Sequence, residues 1–159
     1  MEARQIRAAG GSLRRHGFTL LELMLAVALL GVLLVIAQGS YAGYIERARV
    51  AEAVGQIQAM SASISGFALI NGRYPADLAE VGYAGSRDPW GHPFVYTDLT
   101  GRSRGAARKD RRLNPLNSDF DLFSPGRDGT YRTQITHRTS LDDVIRARDG
   151  AFVDLASRF

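Results

Sequence analysis

One carboxylate, Glu22, lies inside an otherwise apolar stretch of the chain. From Phe18 to Ala37 the sequence reads FTLLELMLAVALLGVLLVIA, and Glu22 is the only ionisable side chain in it. A charge in such a segment costs about 2.5 kcal/mol or more in a membrane unless it finds a partner. The chemistry available to Glu22 is therefore charge pairing, and its position predicts a functional role.

A cation suited to Glu22 would form if the chain were cut just before Phe18. The freed α-amino group has a reference pKa near 8, so it would carry a positive charge at neutral pH. Glu22 of one subunit could then neutralise the Phe18 amine of the next, and stacking of subunits would reduce the cost of burying both charges. The alternative is that Glu22, one turn from the helix end, extends to the cytoplasmic headgroups.

A second group of acidic residues could bind a metal ion. Calcium takes six to eight oxygen ligands at about 2.4 Å, and flexible loops rich in Asp provide them. A small domain without cysteine would gain stability from such an ion. The alternative is turn chemistry, with Asp128 in a tight turn and Asp142 as the N-cap of a short helix through Ile145. The candidate carboxylates are those of Asp119, Asp121, Asp128, Asp142 and Asp143.

Neither catalysis nor nucleic-acid binding is indicated by the remaining polar residues. His92 and His137 have no nucleophile and orienting group in a recognisable arrangement, so we predict that the protein is not an enzyme. The basic stretch Gly101–Leu113 lacks the aromatic residues that stack on bases, which argues against a nucleic-acid partner and predicts a solvated loop. Contact with DNA, lipid headgroups or neighbouring subunits is the alternative for its basic residues, Arg102, Arg104, Arg108, Lys109, Arg111 and Arg112.

The element that must position Glu22 is a long helix. Twenty residues at about 1.5 Å each span roughly 30 Å, the thickness of a bilayer's hydrocarbon core. Beyond this run, apolar residues recur at three- and four-residue spacing, which predicts that an amphipathic helix continues to Asn71, where Gly72 and Pro75 end it. The predicted apolar stripe consists of Ala48, Ala51, Val54, Ile57, Met60, Ile64 and Phe67.

The residues after this helix suffice for a small domain that uses the helix as part of its core. Strand signals lie at residues 92–97 and 120–124, and residues 150–155 could close the sheet or cover the core. We therefore predict an α+β fold, in which one long N-terminal helix packs on a small antiparallel sheet.

Charge predicts the topology of the chain. Residues 1–17 carry four arginines and one glutamate, so their removal would lower the net charge from +4 to about +1. Arginines ahead of an apolar run hold the N-terminus in the cytoplasm. The remainder of the chain would then lie in the periplasm of a Gram-negative cell. The sequence contains no cysteine, so a disulfide framework is excluded.

The sequence RRHG followed by FTLLE resembles the processing site of the type IV pilin superfamily. The resemblance implies that a prepilin peptidase cuts after Gly17 and methylates the new N-terminal residue, Phe18, which leaves Glu22 as the fifth residue of the mature chain. The implied organisation is a leader peptide at 1–17, a transmembrane and filament-core helix at 18–38, an amphipathic helix at 39–72 and an α+β domain at 73–159.

Two further segments, DPWGHPFVY at 88–96 and DFDLFSPGRDG at 119–129, resemble the head domain of the major (G-type) pseudopilin of type II secretion systems. This resemblance implies a structural calcium ion with Asp128 and either or both of Asp142 and Asp143 among its ligands. The chain departs from the pseudopilin pattern between Pro75 and Asp88, where it is shorter. Its loop before Asp142 also lacks the usual glycine-rich acidic run.

The resemblance implies a structural subunit of an inner-membrane-anchored pseudopilus that polymerises through its N-terminal helix and drives protein export. The alternative is a major or minor type IV pilin for adhesion, motility or DNA uptake. The implied partners are copies of the same chain in a homopolymer, minor pseudopilins or pilins, the prepilin peptidase, the inner-membrane assembly platform and the membrane itself. The implied location is the inner membrane, crossed once.

Overall fold

The computed structural model of the chain describes residues 17–101 and 105–159, with the backbone alone at residues 37–40. Predictions for residues 1–16, and for Arg102 and Arg104, lie outside the described residues. One helix and four strands form the framework of this part. Their bounds are Leu20–Asn71 for α1, Val95–Asp98 for β1, Phe120–Ser124 for β2, Val144–Ala147 for β3 and Phe152–Leu155 for β4.

The chain divides into two compact units, and the division falls after Ala42. We call residues 17–42 the N-terminal segment and residues 43–159 the head. The segment contains the apolar first part of α1. Among the described residues, α1 alone is long and apolar enough to cross a membrane. The head contains the rest of α1 and all four strands.

The four strands form one antiparallel sheet in the order β1-β2-β3-β4. Thr97 lies opposite Asp121, Ser124 opposite Val144, and Ile145 opposite Asp154. Every residue of β2 is buried, because this strand has neighbours on both edges and cover on both faces. The predicted α+β fold of one long helix and a small antiparallel sheet is confirmed.

One of the four strands, β3, was not predicted. The apolar alternation at 120–124 marks β2 at its observed bounds, and the signals at 92–97 and 150–155 correspond to β1 and β4. The alternative of a short helix from Asp142 through Ile145 is wrong. Those residues enter β3 instead, because β3 pairs with both β2 and β4, and long-range pairing overrides a local capping signal.

One face of the sheet packs on α1 within the head. The helix residues that are buried there recur at spacings of three and four, as an amphipathic helix requires. The predicted stripe was wrong at Ala48 and Ala51, which are exposed, because the buried face is shifted to Val50 and Ala53. This core cluster contains Val50, Ala53, Ile57, Met60 and Ile64 of α1, together with Phe94, Phe120, Leu122 and Val144.

The other face of the sheet is covered by the long connections between strands. Phe123 and Ile145 point to this side because successive side chains of a strand alternate between faces. They pack with residues of the β1–β2 and β2–β3 connections, Leu116 and Ile135. Backbone bonds join the two connections, with Lys109 N donating to Thr133 O and Ile135 N donating to Lys109 O. The loops are thus parts of the core.

Candidate functional site

The start of α1 contains the residues of the predicted processing site. Gly17, Phe18 and Thr19 lie outside the helix, and all three are exposed. The helix begins at Leu20, and the backbone N–H of Glu22 donates a hydrogen bond of 3.2 Å to the Thr19 hydroxyl. Thr19 is therefore a capping residue that sequence reasoning missed. The signal was available, since Thr-Leu-Leu-Glu has the spacing of a capping box.

Glu22 lies in the first turn of α1, where unsatisfied N–H groups favour a negative charge. Among the described residues, none forms an ion pair with its carboxylate. The side chains around it leave a continuous apolar surface, and the large apolar residues from Phe18 to Ile36 are between 55% and 77% exposed. A surface of this kind marks a site of contact with another protein or a membrane.

Asp128 and Asp142 meet on the head. Asp142 accepts a hydrogen bond from the Asp128 backbone N–H at 3.1 Å. The Asp128 carboxylate accepts from both the N–H and the hydroxyl of Thr130, at 2.8 and 3.0 Å. Gly126 has a φ of 67°, and a Cβ atom there would collide with the Asp142 backbone carbonyl. The turn after β2 therefore needs glycine both for its conformation and for this close approach.

Asp143 has a different environment, although it follows Asp142 directly. Its side chain is fully buried, and it forms a 2.5 Å ion pair with the Arg108 guanidinium. Arg108 also lies over the Phe123 ring at 4.1 Å from the centroid. Burial raises the pKa of the Asp143 carboxyl, while Arg108 acts in the opposite direction.

The prediction of a solvated basic loop is therefore wrong for Arg108, which is 3% exposed, and right for Arg111 and Arg112, which are exposed. The sequence offered no signal for this difference. All three arginines occur in the same run of basic residues, and only the long-range contact with Asp143 distinguishes one of them.

The remaining candidate carboxylates are also engaged. Asp119 forms a bidentate ion pair with the Arg146 guanidinium, at 2.7 Å to each carboxylate oxygen. Asp121 accepts hydrogen bonds from the Arg108 backbone N–H at 2.6 Å and from Asn117 at 2.8 Å. Burial raises the pKa of Asp121, and its hydrogen bonds to Asn117 and Arg108 oppose the shift.

These contacts allow a test of whether the predicted calcium ligands fit such an ion. Within the described residues, no group of three or more His, Asp or Glu side chains is arranged to hold a metal. A divalent ion on Asp143 would lie beside the Arg108 guanidinium, and at about 4 Å the repulsion is roughly 8 kcal/mol for an effective dielectric constant near 20. Asp143 therefore does not fit. Of the three predicted ligands only Asp128 and Asp142 then remain, so the predicted set does not fit one calcium ion.

Asp88, His92 and Ser124 are close together, but they do not form a nucleophilic site. Ser124 is fully buried, and its hydroxyl donates to Asp88 at 2.5 Å and accepts from the Gly126 N–H at 3.0 Å. The His92 Nδ1 atom lies 2.9 Å from the Gly126 carbonyl, to which it can donate. A catalytic histidine would have to contact the serine hydroxyl. Here all three residues instead fix the turn after β2.

Comparison with known proteins supports the interpretation of both units. Residues 12–38 match the prokaryotic N-terminal methylation motif. The chain is 35% identical over 148 residues to a fimbrial protein of Neisseria meningitidis serogroup A. The matched region covers 90% of this chain and 85% of that protein. It is 36% identical over 141 residues to the type IV major pilin protein PilE of Neisseria gonorrhoeae, covering 84% and 83%.

A second kind of relative is the type II secretion system core protein G of Klebsiella pneumoniae. Identity is 31% over 119 residues, which is 73% of this chain and 79% of that one. No solved structure matches the chain with comparable significance. The relatives are structural subunits, and the apolar start of α1 fits membrane anchoring. The methylation motif, the capped apolar helix and these similarities agree. They show that the chain belongs to the type IV pilin superfamily and is a pilin-like filament subunit.

Proposed function

We propose that this chain is the structural subunit of a type II secretion pseudopilus anchored in the inner membrane. The observation that supports polymerisation is the exposed apolar surface of the N-terminal segment. Its large apolar side chains from Phe18 to Ile36 are exposed in the single chain, and Glu22 lies among them without an ion-pair partner in the described residues. Copies of the same helix can cover this surface in a filament.

Cleavage after Gly17 would supply the missing charge. Gly17 and Phe18 are exposed and non-helical, which is the conformation that a peptidase needs at its cut site. The new Phe18 amine of one subunit would pair with Glu22 of the next and set the axial register of the filament. The capping bond between Glu22 N–H and Thr19 leaves the Glu22 carboxylate available for this pairing.

The same proposal includes orientation and partners. The arginine-rich leader would keep the N-terminus in the cytoplasm, with the head in the periplasm. A prepilin peptidase would process the chain, and an inner-membrane assembly platform would extract it into the homopolymer, with minor pseudopilins as further subunits. Movement of the assembled filament would then drive the export of folded proteins.

The choice of a secretion pseudopilin rests on the head. The segment that resembles pseudopilins, residues 119–129, forms β2, one of the two inner strands, and the tight turn after it. The chain also lacks the cysteine pair near the C-terminus that is common in adhesive pilins. The relatives named protein G are consistent with this choice, at 31% identity in Klebsiella pneumoniae and 33% in Dickeya chrysanthemi.

A type IV pilin for adhesion, motility or DNA uptake is the second candidate. It is favoured by the extent of similarity to the Neisseria pilins, which covers up to 90% of the chain. Deletion of the gene separates the two. We expect loss of proteins from the culture supernatant with surface pili and twitching unchanged. Loss of pili with normal secretion would establish the second candidate instead.

The polymerising role is tested by Glu22→Ala in the deletion strain. We expect normal processing but at least a tenfold loss of sheared filament, because the buried Phe18 amine would have no counter-charge. The matched control is Glu52→Ala, which removes an exposed glutamate further along the same helix. Filament yield that is equal in the two variants would refute the charge pair.

A further inference from the structure

The head contains a buried cation of its own, the Arg108 guanidinium. It is 3% exposed, and its partner Asp143 is fully buried. Burial of a charge in a small domain is costly unless an opposite charge lies in contact, and here the two charged groups are 2.5 Å apart. The pair is therefore a fixed part of the core.

The surroundings of Arg108 hold its charged group in one place. The guanidinium lies over the Phe123 ring at 4.1 Å and near the Tyr131 ring at 5.7 Å. The backbone of Arg108 is fixed as well, since its N–H donates to the Asp121 carboxylate and its carbonyl oxygen accepts from the Leu116 N–H. Aromatic faces favour a cation, so the site attracts positive charge from several directions.

Asp142 and Asp143 together join two separate connections to the start of β3. Asp142 binds the backbone N–H of Asp128, in the connection after β2. Asp143 binds Arg108, in the connection between β1 and β2. Two neighbouring aspartates thus link loops that are distant in sequence, which is the task that a structural metal performs in small domains.

We propose that Arg108 serves as an internal cation of the head, paired with Asp143 in the place of a calcium ion, so that the head folds without metal. The Arg108 side chain provides the positive charge and binds one oxygen of the Asp143 carboxylate, Oδ2. This inference concerns the head alone and holds whether the filament belongs to a secretion or a pilus system.

The first test uses the full chain in detergent micelles, with melting followed by the fluorescence of its single tryptophan, Trp90. We expect the same melting midpoint in millimolar Ca²⁺ and in excess chelator. A reversible rise of more than about 2 °C with Ca²⁺ would overturn the proposal, because ligand that binds only the folded state raises the midpoint.

The second test is a double-mutant cycle on the pair. We expect Arg108→Gln and Asp143→Asn each to lower the midpoint by about 10 °C or more, because each leaves a buried charge alone. Arg111→Gln, an exposed arginine of the same loop, should leave it within about 2 °C. The double variant should lose clearly less than the two single losses together. Additive losses would contradict the pairing, and the calcium test stands even if a single variant does not fold.

Discussion

Apolar side chains have opposite environments in the two units of this protein. In the N-terminal segment they are exposed along the helix from Leu20 to Ile36. In the head the apolar side chains of the sheet and of the facing side of α1 are buried in two clusters, one on each face of the sheet, while a few others such as Leu69 and Leu113 stay exposed. The head therefore forms a hydrophobic core within a single chain. The segment does not, and its stable state requires a membrane or neighbouring subunits.

Charged groups show the same contrast. Asp119 and Asp143 each contact an arginine inside the head. Glu22 has no such partner among the described residues. The difference teaches that stability and assembly depend on separate residues, so each can be altered without the other.

The largest effect should follow from Phe120→Ala. Phe120 is the first residue of β2 and is fully buried in the core cluster shared with α1, with the Tyr74 and Tyr96 rings at 5.5 and 5.9 Å. We expect the head to lose about 3–5 kcal/mol of stability, because a cavity replaces the ring. Trp90 fluorescence in a thermal or denaturant melt would measure it, with Leu69→Ala, at an 87% exposed residue, as control. Equal midpoints would contradict the assigned core.

A substitution in the N-terminal segment with a free-energy cost of similar size should leave the stability of the head unchanged. Leu29→Lys places a charge on an exposed apolar residue near the middle of the segment. We expect a cost of about 3 kcal/mol for membrane insertion and a smaller membrane fraction after cell fractionation. Leu29→Val is the control. A lowered melting midpoint of the head would show that the two units are not independent.

A smaller effect, confined to the head, should follow from Gly126→Ala. Gly126 and Gly85 have nearly the same φ, 67° and 69°, but only at Gly126 would a Cβ atom meet other atoms, those of Asp142. We expect a loss of about 1 kcal/mol for Gly85→Ala, from backbone strain alone. Gly126→Ala should lose at least about 1 kcal/mol more. Equal losses by denaturant melting would argue against the close approach.

The smallest effect should follow from Asp77→Ala. Asp77 caps the short helix Leu78–Val81, and its carboxylate accepts from the N–H groups of Ala79 and Glu80. We expect a loss of about 1 kcal/mol, as for other N-caps, and a loss of only a few tenths for Asp77→Asn, which keeps the acceptor. A denaturant melt resolves this difference. If Asn and Ala behave alike, the cap contributes little to head stability.

Sequence periodicity predicted the elements that depend on local pattern. The apolar run and its continuation gave α1, and the alternation in residues 120–124 gave β2 at its observed bounds. Residues 144–147 were not predicted as a strand, and Val-Ile-Arg-Ala places a charged residue, Arg146, at a position that the structure shows to be buried. Arg146 is tolerated there because Asp119 neutralises it and the Phe120 ring lies 3.9 Å from its guanidinium. A partner 27 residues away cannot be recognised from local pattern.

The sequence by itself determined the apolar helix, the single glutamate within it and the glycine–phenylalanine junction ahead of it, because helix period and side-chain polarity are local properties. Only the tertiary structure decided which of several arginines and aspartates share a charge. Arg108 and Asp143 are separated by 35 residues, and Arg111 has the same chemistry as Arg108 but remains exposed. Burial selects one pair from many equivalent charges, since it depends on how the sheet and its loops pack rather than on the residue types.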